Sequence, residues 1–377
     1  MKKLFKKIVL FVTVFAMCIG IGASLSACNS SDKTLIGIGL YQDSGPAVTA
    51  TKAYLDGLKE ELNCDFKYVT LSQTDEATNK TRVQELISAG CKGIILTMDL
   101  GMSAIIAECE KADVYLAGYL SDYETTLDSI KDNDHFVGTV VDGAYNGTAW
   151  GEHIAERVIN EGYKNIGMIK FPAFAFPHQI EMDTAFRAKI EEYNATATEK
   201  ITVQATTTEL NFSPLDAAYF SENPNLDAIF AMCAGVDFVY PTMVAQEKTN
   251  IKLYTAGFTT SESTLSDFGE GKCIQELVFS NVEAVTYPVV MLLNKINGTE
   301  FSDNPAQAER VDSSQIIIEN TADLQLVQTK SIYCTGKAED AFLTASQVKA
   351  LLAENGGTYA KLVEAVQSMT IEDLEAL

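Results

Sequence analysis

The sequence contains few residues in the spacing of a known catalytic motif. The sequence contains three histidines and no Gly-x-Ser-x-Gly elbow, so a serine–histidine hydrolase has few ways to be built. The loop GIGLYQ begins like a dinucleotide-binding fingerprint, but Gln42 stands where a third glycine is needed for close helix packing. The motifs therefore predict a protein without a nucleotide cofactor and without hydrolytic machinery.

One histidine is spaced to bind a metal ion. His153 and Glu156 lie three residues apart in EHIAE, which would place both on one face of a helix. Ile154 marks the buried face of that helix, and the sequence offers no second pair of ligands. We therefore expect Glu152 and Glu156 to lie on a solvated helix face, and we expect no metal site here.

Polar and aromatic side chains follow apolar runs that have the composition of strands. Open α/β sheets bind ligands beyond the carboxyl ends of their strands, so these side chains are the candidate binding residues. Polar groups from one half of the chain and aromatic faces from the other would hold a small polar ring by hydrogen bonding and stacking. Some of the phenylalanines could instead belong to the core, Phe171 above all. The candidates are Tyr41, Gln42, Asp43, Asp99, Tyr119, Ser121, Asp122, Phe171, Phe174, Phe176, Cys233, Ala234, Phe258 and Thr259.

The first half of the chain has the alternation of apolar runs and helical periods that positions such residues. LIGIGL, FKYVTL, GIILTM and VYLAGY predict strands, and the segments between them predict helices over Ala47–Leu62, Thr78–Ala89 and Met102–Lys111. This order is typical of βαβ units in a parallel sheet. HFVGTV then predicts a strand that leaves the first domain.

A second series repeats the same alternation and predicts a second sheet. Its strands are NIGMIKF, KITVQA, DAIFAM and IKLYTAG, with helices over Gly147–Asn160, Ile180–Tyr193 and Val236–Gln246. The later strands IQELVF and QIIIEN, with the helix Val282–Ile296, have too few neighbours for a third domain and complete the first two. Residues 333–377 predict two amphipathic helices, a C-terminal extension packed on one lobe.

The N-terminus predicts export. MKKLFKK and the apolar run after it form a secretory signal peptide over residues 1–27. The tetrapeptide LSAC, ending at Cys28, resembles the lipobox of bacterial lipoproteins, in which the cysteine receives a diacylglycerol; two acyl chains anchor a protein stably. Residues 28–33 then form a polar tether. We expect lipidation at Cys28 and a location on the extracytoplasmic face of the cell membrane.

The charge composition limits the classes of molecule that this chain can bind. The leader contains four lysines, so its removal leaves 24 basic and 51 acidic residues, or about −27, which excludes the basic stripe that nucleic acid requires. The remaining cysteines form no CxxC pair, and several stand beside apolar strands; we favour buried thiols, and disulfides stay an alternative. These cysteines are Cys64, Cys91, Cys109, Cys233, Cys273 and Cys334.

Three segments carry a resemblance to the type I periplasmic binding proteins, the solute receptors of ABC importers for sugars and related compounds. They are IGIGLYQDSGP with Asp56-Gly57, then LISAGCKGIILTMD, and LYTAGF with the following GEGKCIQELVFSNVEAVTYPVVMLLNKINGTE. The resemblance covers residues 34–320. It implies two doubly wound lobes, residues 34–138 with 260–312 and residues 139–259 with 313–332, joined by a three-crossing hinge. The crossings would lie near Phe136–Val141, Gly257–Ser261 and Val311–Gln315.

The resemblance also implies site residues and a function. Asp99 matches a carboxylate that sugar-binding members use on ligand hydroxyls. Glu181-Met182-Asp183, Cys233-Ala234, Thr259 and Ser280 replace the other polar groups of the family's sugar site. The resemblance implies a non-enzymatic, monomeric lipoprotein that closes on a small sugar-like or nucleoside-like solute and delivers it to an ABC permease and ATPase. The implied ligand-binding set is Asp99, Tyr41, Gln42, Asp43, Tyr119, Phe174, Phe176, Phe258 and Ser280.

Two other functions fit the same sequence. A tethered receptor that reports its ligand to a membrane sensor kinase would share these features, and an extracytoplasmic enzyme is a further alternative. The related transcription regulators are disfavoured, because their DNA-binding helices would sit where this chain has the lipobox-like segment.

Overall fold

Two sheets, both mainly parallel and both flanked by helices, form the framework of the chain. The structure is a computed structural model that describes residues 33–120, 123, 126–141, 147–173, 176, 178–257, 262–279 and 281–375. Residues Leu35–Leu377 make up one compact unit. The strands are β1 Thr34–Leu40, β2 Cys64–Thr70, β3 Gly93–Leu96, β4 Tyr115–Leu120, β5 Phe136–Val141, β6 Asn165–Lys170, β7 Thr202–Val203, β8 Thr208–Glu209, β9 Ala228–Ala234, β10 Lys252–Ala256, β11 Ile274–Phe279, β12 Arg310–Asp312 and β13 Ile316–Ile318.

The helices alternate with these strands through most of the chain and follow one another at the C-terminus. Short 3-10 turns occur at Val282–Val285, Ala338–Asp340, Ala353–Asn355 and Ile371–Glu375. The α-helices are α1 Pro46–Leu58, α2 Glu76–Ser88, α3 Met102–Ala112, α4 Leu127–Ile130, α5 Gly147–Glu161, α6 His178–Thr196, α7 Ala218–Glu222, α8 Gly235–Phe238, α9 Tyr240–Ala245, α10 Glu262–Leu265, α11 Thr286–Ile296, α12 Thr321–Lys330, α13 Ile332–Thr335, α14 Ala345–Ala350 and α15 Tyr359–Gln367.

The first sheet has the strand order β12-β5-β4-β3-β1-β2. Its central strands β3, β4 and β5 are buried on both faces, which explains why they read as continuous apolar runs. The glycines of β1 let a helix approach closely, because a Cβ at Gly37 would lie 2.8 Å from Leu86 of α2. Helix α2 begins where the Asp75 carboxylate accepts a hydrogen bond from the Ala77 amide at 3.0 Å.

The second sheet has the order β13-β11-β10-β9-β6-β7, and β8 also pairs with β6. The pairings from β6 through β11 are parallel, whereas β13 is antiparallel to β11. On one face α5 lies tightly against α6, because α5 presents Gly147 and Gly151. A Cβ at these positions would lie 2.6 Å from the His178 carbonyl and 2.4 Å from the Met182 carbonyl. The prediction of two doubly wound α/β lobes is confirmed.

In the order of the described elements, the chain passes between the two sheets three times. The first crossing leaves β5 and enters α5, the second leaves β11 and enters the turn Val282–Val285, and the third joins β12 to β13. The second crossing differs from the expected position at Gly257–Ser261. Because β11 pairs with β10 and β13, this strand belongs to the second sheet, although the predicted lobe boundary placed residues 260–279 in the first lobe.

The C-terminal extension contacts the crossings as well as the first lobe. The Phe342 amide donates to Glu283 at 3.2 Å, beside the second crossing, and the Ser314 amide of the third crossing donates to the Val366 carbonyl at 2.8 Å. The Nδ2 atom of Asn281 donates both to Ser314 Oγ at 2.9 Å and towards Met369 Sδ at 3.2 Å. The extension is therefore built into the hinge and is more than an addition to one lobe.

The structure also tests the helix predicted over Val236–Gln246 and the predicted state of the cysteines. The single helix expected over Val236–Gln246 is divided into α8 and α9, and Pro241 stands in the first turn of α9, where its missing N–H is tolerated.

Cys91, Cys109, Cys233 and Cys273 are buried free thiols, as predicted, and burial raises the pKa of Cys91 to about 11. Within the described ranges, no helix combines the length and apolarity needed to cross a membrane.

Candidate functional site

The strand order places one switch point in each sheet. In the first sheet β1 lies between β2 and β3, and in the second sheet β6 lies between β7 and β9. The loops after β1 and β3, and those after β6 and β9, therefore run in opposite directions and leave a crevice between them. The hinge crossings start at the carboxyl ends of β5, β12 and β11, so both crevices open at sheet edges that adjoin the same hinge.

Polar residues line the switch point of the first sheet. Tyr41 and Gln42 directly follow β1 and are half-buried, and Gln42 Nε2 lies 3.4 Å from the Tyr41 hydroxyl. Gln73, in the loop after β2, donates to the Tyr41 carbonyl at 3.3 Å. Asp43 is exposed, and its carbonyl accepts a 3.0 Å hydrogen bond from Lys52 of α1. These contacts hold the loop after β1 against its neighbours and present amide and hydroxyl groups at the edge.

Asp99 lies across the same switch point, in the loop after β3. It is half-buried, and its Oδ2 atom accepts a hydrogen bond from Thr126 Oγ1 at 3.1 Å. Burial raises the pKa of the adjacent Tyr123 well above its ordinary value, and the negative charge of Asp99 raises it further. Asp99 thus lies near a neutral tyrosine, and its carboxylate can accept hydrogen bonds from ligand hydroxyl groups.

A buried asparagine positions this edge and was not among the candidates. Asn79 of α2 is 1% exposed and bonds to two loops at once. Its Oδ1 atom accepts from the Ser72 amide at 2.7 Å, and its Nδ2 atom donates to the carbonyls of Ser72 and Leu100 at 3.0 and 3.2 Å. Because Leu100 follows Asp99, Asn79 fixes the loop that carries the carboxylate. The sequence does contain a signal for this role: Asn79 is a polar residue on the same helix face as Val83 and Leu86, the buried apolar positions of α2.

Tyr119 has a different environment from the one expected. Its side chain is 1% exposed, and its hydroxyl donates to the Val282 carbonyl at 3.3 Å. The ring is therefore buried in the core beside the second crossing and is not accessible to a ligand. Several other candidates lie outside the described residues: Cys28, Ser121, Asp122, Phe174, Phe258, Thr259 and Ser280.

Aromatic side chains gather at the switch point of the second sheet. Phe171, directly after β6, is 6% exposed and contacts three other phenylalanine rings. Its centroid lies 5.3 Å from Phe176, 5.1 Å from Phe212 and 5.1 Å from Phe238. We call these four residues the phenylalanine cluster. Phe171 anchors the cluster in the core, whereas Phe212 is 45% exposed and presents the cluster to solvent.

Two neighbours fix the geometry of this cluster. Gln179 of α6 accepts a 2.7 Å hydrogen bond from the Phe171 amide, which holds the chain just beyond β6. The ring of His178 meets Phe176 edge to face at 5.8 Å. Burial, with a smaller contribution from the Arg310 charge, lowers the pKa of His178 to about 3, so this imidazole is neutral at physiological pH.

A second polar cluster lies in the same lobe but among α5, β11 and the end of β13. Donor atoms of His153, Glu276 and Glu319 all lie within 4.8 Å of one another, which is compatible with metal binding. Arg157 occupies this cluster, at 2.8 Å from Glu276 and 3.3 Å from Glu319. His153 Nε2 donates to Glu276 at 2.9 Å and is part of an ion-pair network, whereas Glu152 and Glu156 are exposed on the solvated helix face, as expected.

The chain is similar in structure to solved solute-binding proteins. No family model and no curated protein matches the chain. A glucose-galactose binding protein, GanP from Geobacillus stearothermophilus, is 15% identical with a TM-score of 0.57, covering 76% of this chain and 98% of its own. An ABC transporter solute-binding protein from Burkholderia graminis, in complex with D-arabinose, is 13% identical with a TM-score of 0.59, covering 78% and 98%. The chain has the type I periplasmic binding protein fold.

The match to this fold also shows what is additional here. A Mycobacterium smegmatis protein in complex with beta-D-fucofuranose covers 97% of its own length and 88% of this chain, at 15% identity and a TM-score of 0.57. The type I periplasmic binding protein fold is thus present almost in full, and the Burkholderia match leaves about a fifth of this chain outside it. The predicted leader and the C-terminal extension together have a similar length.

Proposed function

We propose that this chain is an extracytoplasmic substrate-binding lipoprotein of an ABC importer, which captures a sugar or a sugar-like solute, nucleosides included, between its two lobes. One observation carries the proposal: the switch points of both sheets adjoin one hinge, and they present polar groups on one side and aromatic rings on the other. Solved structures with this fold include proteins in complex with D-arabinose and beta-D-fucofuranose, which supports a sugar-like ligand.

The binding mechanism follows from the two lobes. Asp99, Tyr41 and Gln42 would accept and donate hydrogen bonds to ligand hydroxyl groups, and the phenylalanine cluster would cover an apolar face of the ring. A ligand that contacts both lobes binds the closed state better than the open state, so it shifts the population towards closure. The closed lobes then form the surface that an ABC permease recognises, and no chemical step on the ligand is required.

The anchor and the location belong to the same proposal. Cys28 would carry the lipid, which keeps the two lobes close to a membrane permease on the extracytoplasmic face. Metabolic labelling with a radioactive fatty acid tests this part: the chain should incorporate label, and the Cys28→Ala variant should not. Label in both chains, or in neither, would contradict lipidation at Cys28.

A thermal-shift panel tests the ligand-binding part. Purified protein is heated with pentoses, hexoses, inositols, nucleosides and amino acids, each at millimolar concentration. A ligand present at one hundred times its dissociation constant adds about 2.7 kcal/mol to the free energy of unfolding, enough to raise the melting temperature by several degrees. A shift with a sugar or nucleoside supports the proposal. Absence of any shift in a well-folded sample contradicts it.

A further inference from the structure

We infer that the ligand of this cleft is a sugar joined to a planar aromatic ring, as in a nucleoside, with the aromatic ring held by the phenylalanine cluster. The inference rests on the proposed function and narrows its substrate class. It follows from an asymmetry between the two sheet edges, one lined by polar groups and the other by the phenylalanine cluster.

The edge of the second sheet is mainly apolar directly after its strands, although Lys170 ends β6 and Glu209 ends β8, opposite each other in the sheet. Phe171 and Pro172 follow β6, Ala234 ends β9, and Gly257 follows β10. A carboxylate does occur nearby, at the exposed Asp237 of α8, one residue before Phe238. Among the described residues, the positions directly after β6 and β10 and the end of β9 thus offer this side of the cleft mainly carbon surface and backbone groups.

The phenylalanine cluster has the form of a stacking surface. Phe212 is 45% exposed, and its ring lies 6.3 Å from the half-buried Phe176, with Phe171 packed behind both at 5.1 and 5.3 Å. An exposed phenylalanine supported by buried rings keeps its position without a ligand. A planar aromatic ring that stacks on it removes apolar surface of both partners from water and gains the attraction between offset rings.

A free sugar is a poorer match to this asymmetry. Hydroxyl groups lie around the rim of a pyranose or furanose, which leaves only a C–H face to stack on an aromatic ring, and each hydroxyl loses hydrogen bonds to water when the cleft closes. The first lobe can replace those bonds through Asp99, Gln42 and Tyr41, whereas the phenylalanine cluster replaces none of them. A sugar with an aromatic substituent satisfies both sides, because its hydroxyl groups face the first lobe and its flat ring faces the second.

Titration calorimetry on the purified full-length chain tests the inference. The probes are adenosine, cytidine, 4-nitrophenyl glucoside, 4-nitrophenyl riboside, D-ribose, D-glucose and adenine. We expect at least one aromatic glycoside to bind tenfold or more tightly than its free sugar. Tight binding of the nucleosides but not of the nitrophenyl glycosides would identify a nucleobase, and the reverse would identify an aryl glycoside; both support the inference.

A substitution in the cluster assigns the stacking contact. Phe212→Ala should weaken the aromatic glycoside about tenfold or more, the loss expected for one stacking contact, and Phe212→Tyr should retain binding. Val244→Ala is the matched control, because Val244 is similarly exposed, at 48%, but lies on α9. The affinity of this variant for the aromatic glycoside should be unchanged.

Two outcomes would overturn the inference, and they separate it from the proposed function. If a free sugar binds as tightly as its aromatic glycoside, the cleft does not select the aromatic ring, and solute capture still stands. If no probe in this set or in the thermal-shift panel binds a folded sample, the inference and the proposed function are both contradicted.

Discussion

The indole Nε1 of Trp150 donates a 2.8 Å hydrogen bond to Oε1 of Glu276, a carboxylate whose side chain has no exposure to solvent. The other oxygen of Glu276 lies 2.8 Å from Arg157 and 2.9 Å from His153. Helix α5 contributes all three partners, and β11 contributes the carboxylate. A buried charge is tolerated here because each of its oxygen atoms is hydrogen-bonded.

Replacing Glu276 by Ala should destabilise the protein strongly. The change leaves the Arg157 charge and the Trp150 N–H without their buried partner, and removing one member of a buried ion pair costs about 3 to 5 kcal/mol. Urea denaturation followed by circular dichroism measures the change. Glu85→Ala is the control, because the Glu85–Arg82 pair is exposed on both sides and contributes less than about 1 kcal/mol. Equal losses in the two variants would contradict a special role for Glu276.

His153 should make the stability depend on pH. Its hydrogen bond to Glu276 raises the pKa of His153 above the ordinary 6.5, with Glu319 acting in the same direction and Arg157 against it. A histidine whose pKa is higher in the folded state stabilises that state fully below the unfolded pKa, and the effect disappears as the pH rises through the folded pKa. The difference in unfolding free energy between the wild type and His153→Gln should therefore be larger at pH 5.5 than at pH 8.5. A difference that grows with pH would have the wrong sign.

Asn79→Ala should impair both stability and ligand binding. It leaves backbone groups of Ser72 and Leu100 without their partner, at a cost of about 1 to 3 kcal/mol, and it loosens the loop that carries Asp99. Asn194 is a matched control, because its amide bonds in the same way to both backbone groups of Ile201, in the other lobe. Asn194→Ala should lose stability but keep its affinity for the ligand. Equal affinities in the two variants would contradict a positioning role for Asn79.

Leu362→Ala should show that the C-terminal extension folds together with the lobes. Leu362 of α15 is completely buried, and a leucine-to-alanine change at such a site costs about 2 to 5 kcal/mol. Unfolding should remain a single transition with a lower midpoint, because Val366 and Met369 are bonded to the hinge segments. Val363→Ala, on the same helix but half-buried, should cost less. A separate early transition would show that the extension is an independent unit.

Periodicity was sufficient to predict most of the elements and the fold class. The run GIIL reads as a strand because a parallel strand is buried on both faces, and α3 begins at Met102 as predicted. The sheet to which a strand belongs is less accessible, since pairing joins residues that are distant in sequence. The run IQELVF was predicted as a strand, but its place in the second sheet follows from contacts with β10 and β13.

The candidate site also contains residues that the local sequence predicts and residues that only tertiary contacts reveal. Positions directly after strands, such as Tyr41 and Asp99, follow from local pattern because the end of a parallel strand lies at the binding edge. Phe212 could not be found by that rule, because it follows the two-residue strand β8 and reaches Phe171 only through the pairing of β8 with β6. Tyr119 ends up buried because the second crossing packs over it, an arrangement that the local sequence does not encode.

Binding of the identified solute to Asp99→Asn protein tests the central claim most directly. Titration calorimetry is performed with the solute that gives the largest thermal shift, on the wild type, on Asp99→Asn and on Asp128→Asn, whose exposed carboxylate pairs with Lys131. Binding in the inter-lobe cleft predicts one site per chain, a tenfold or greater loss of affinity for Asp99→Asn, and no change for Asp128→Asn. Equal affinities in all three proteins would contradict the assignment of the cleft as the binding site.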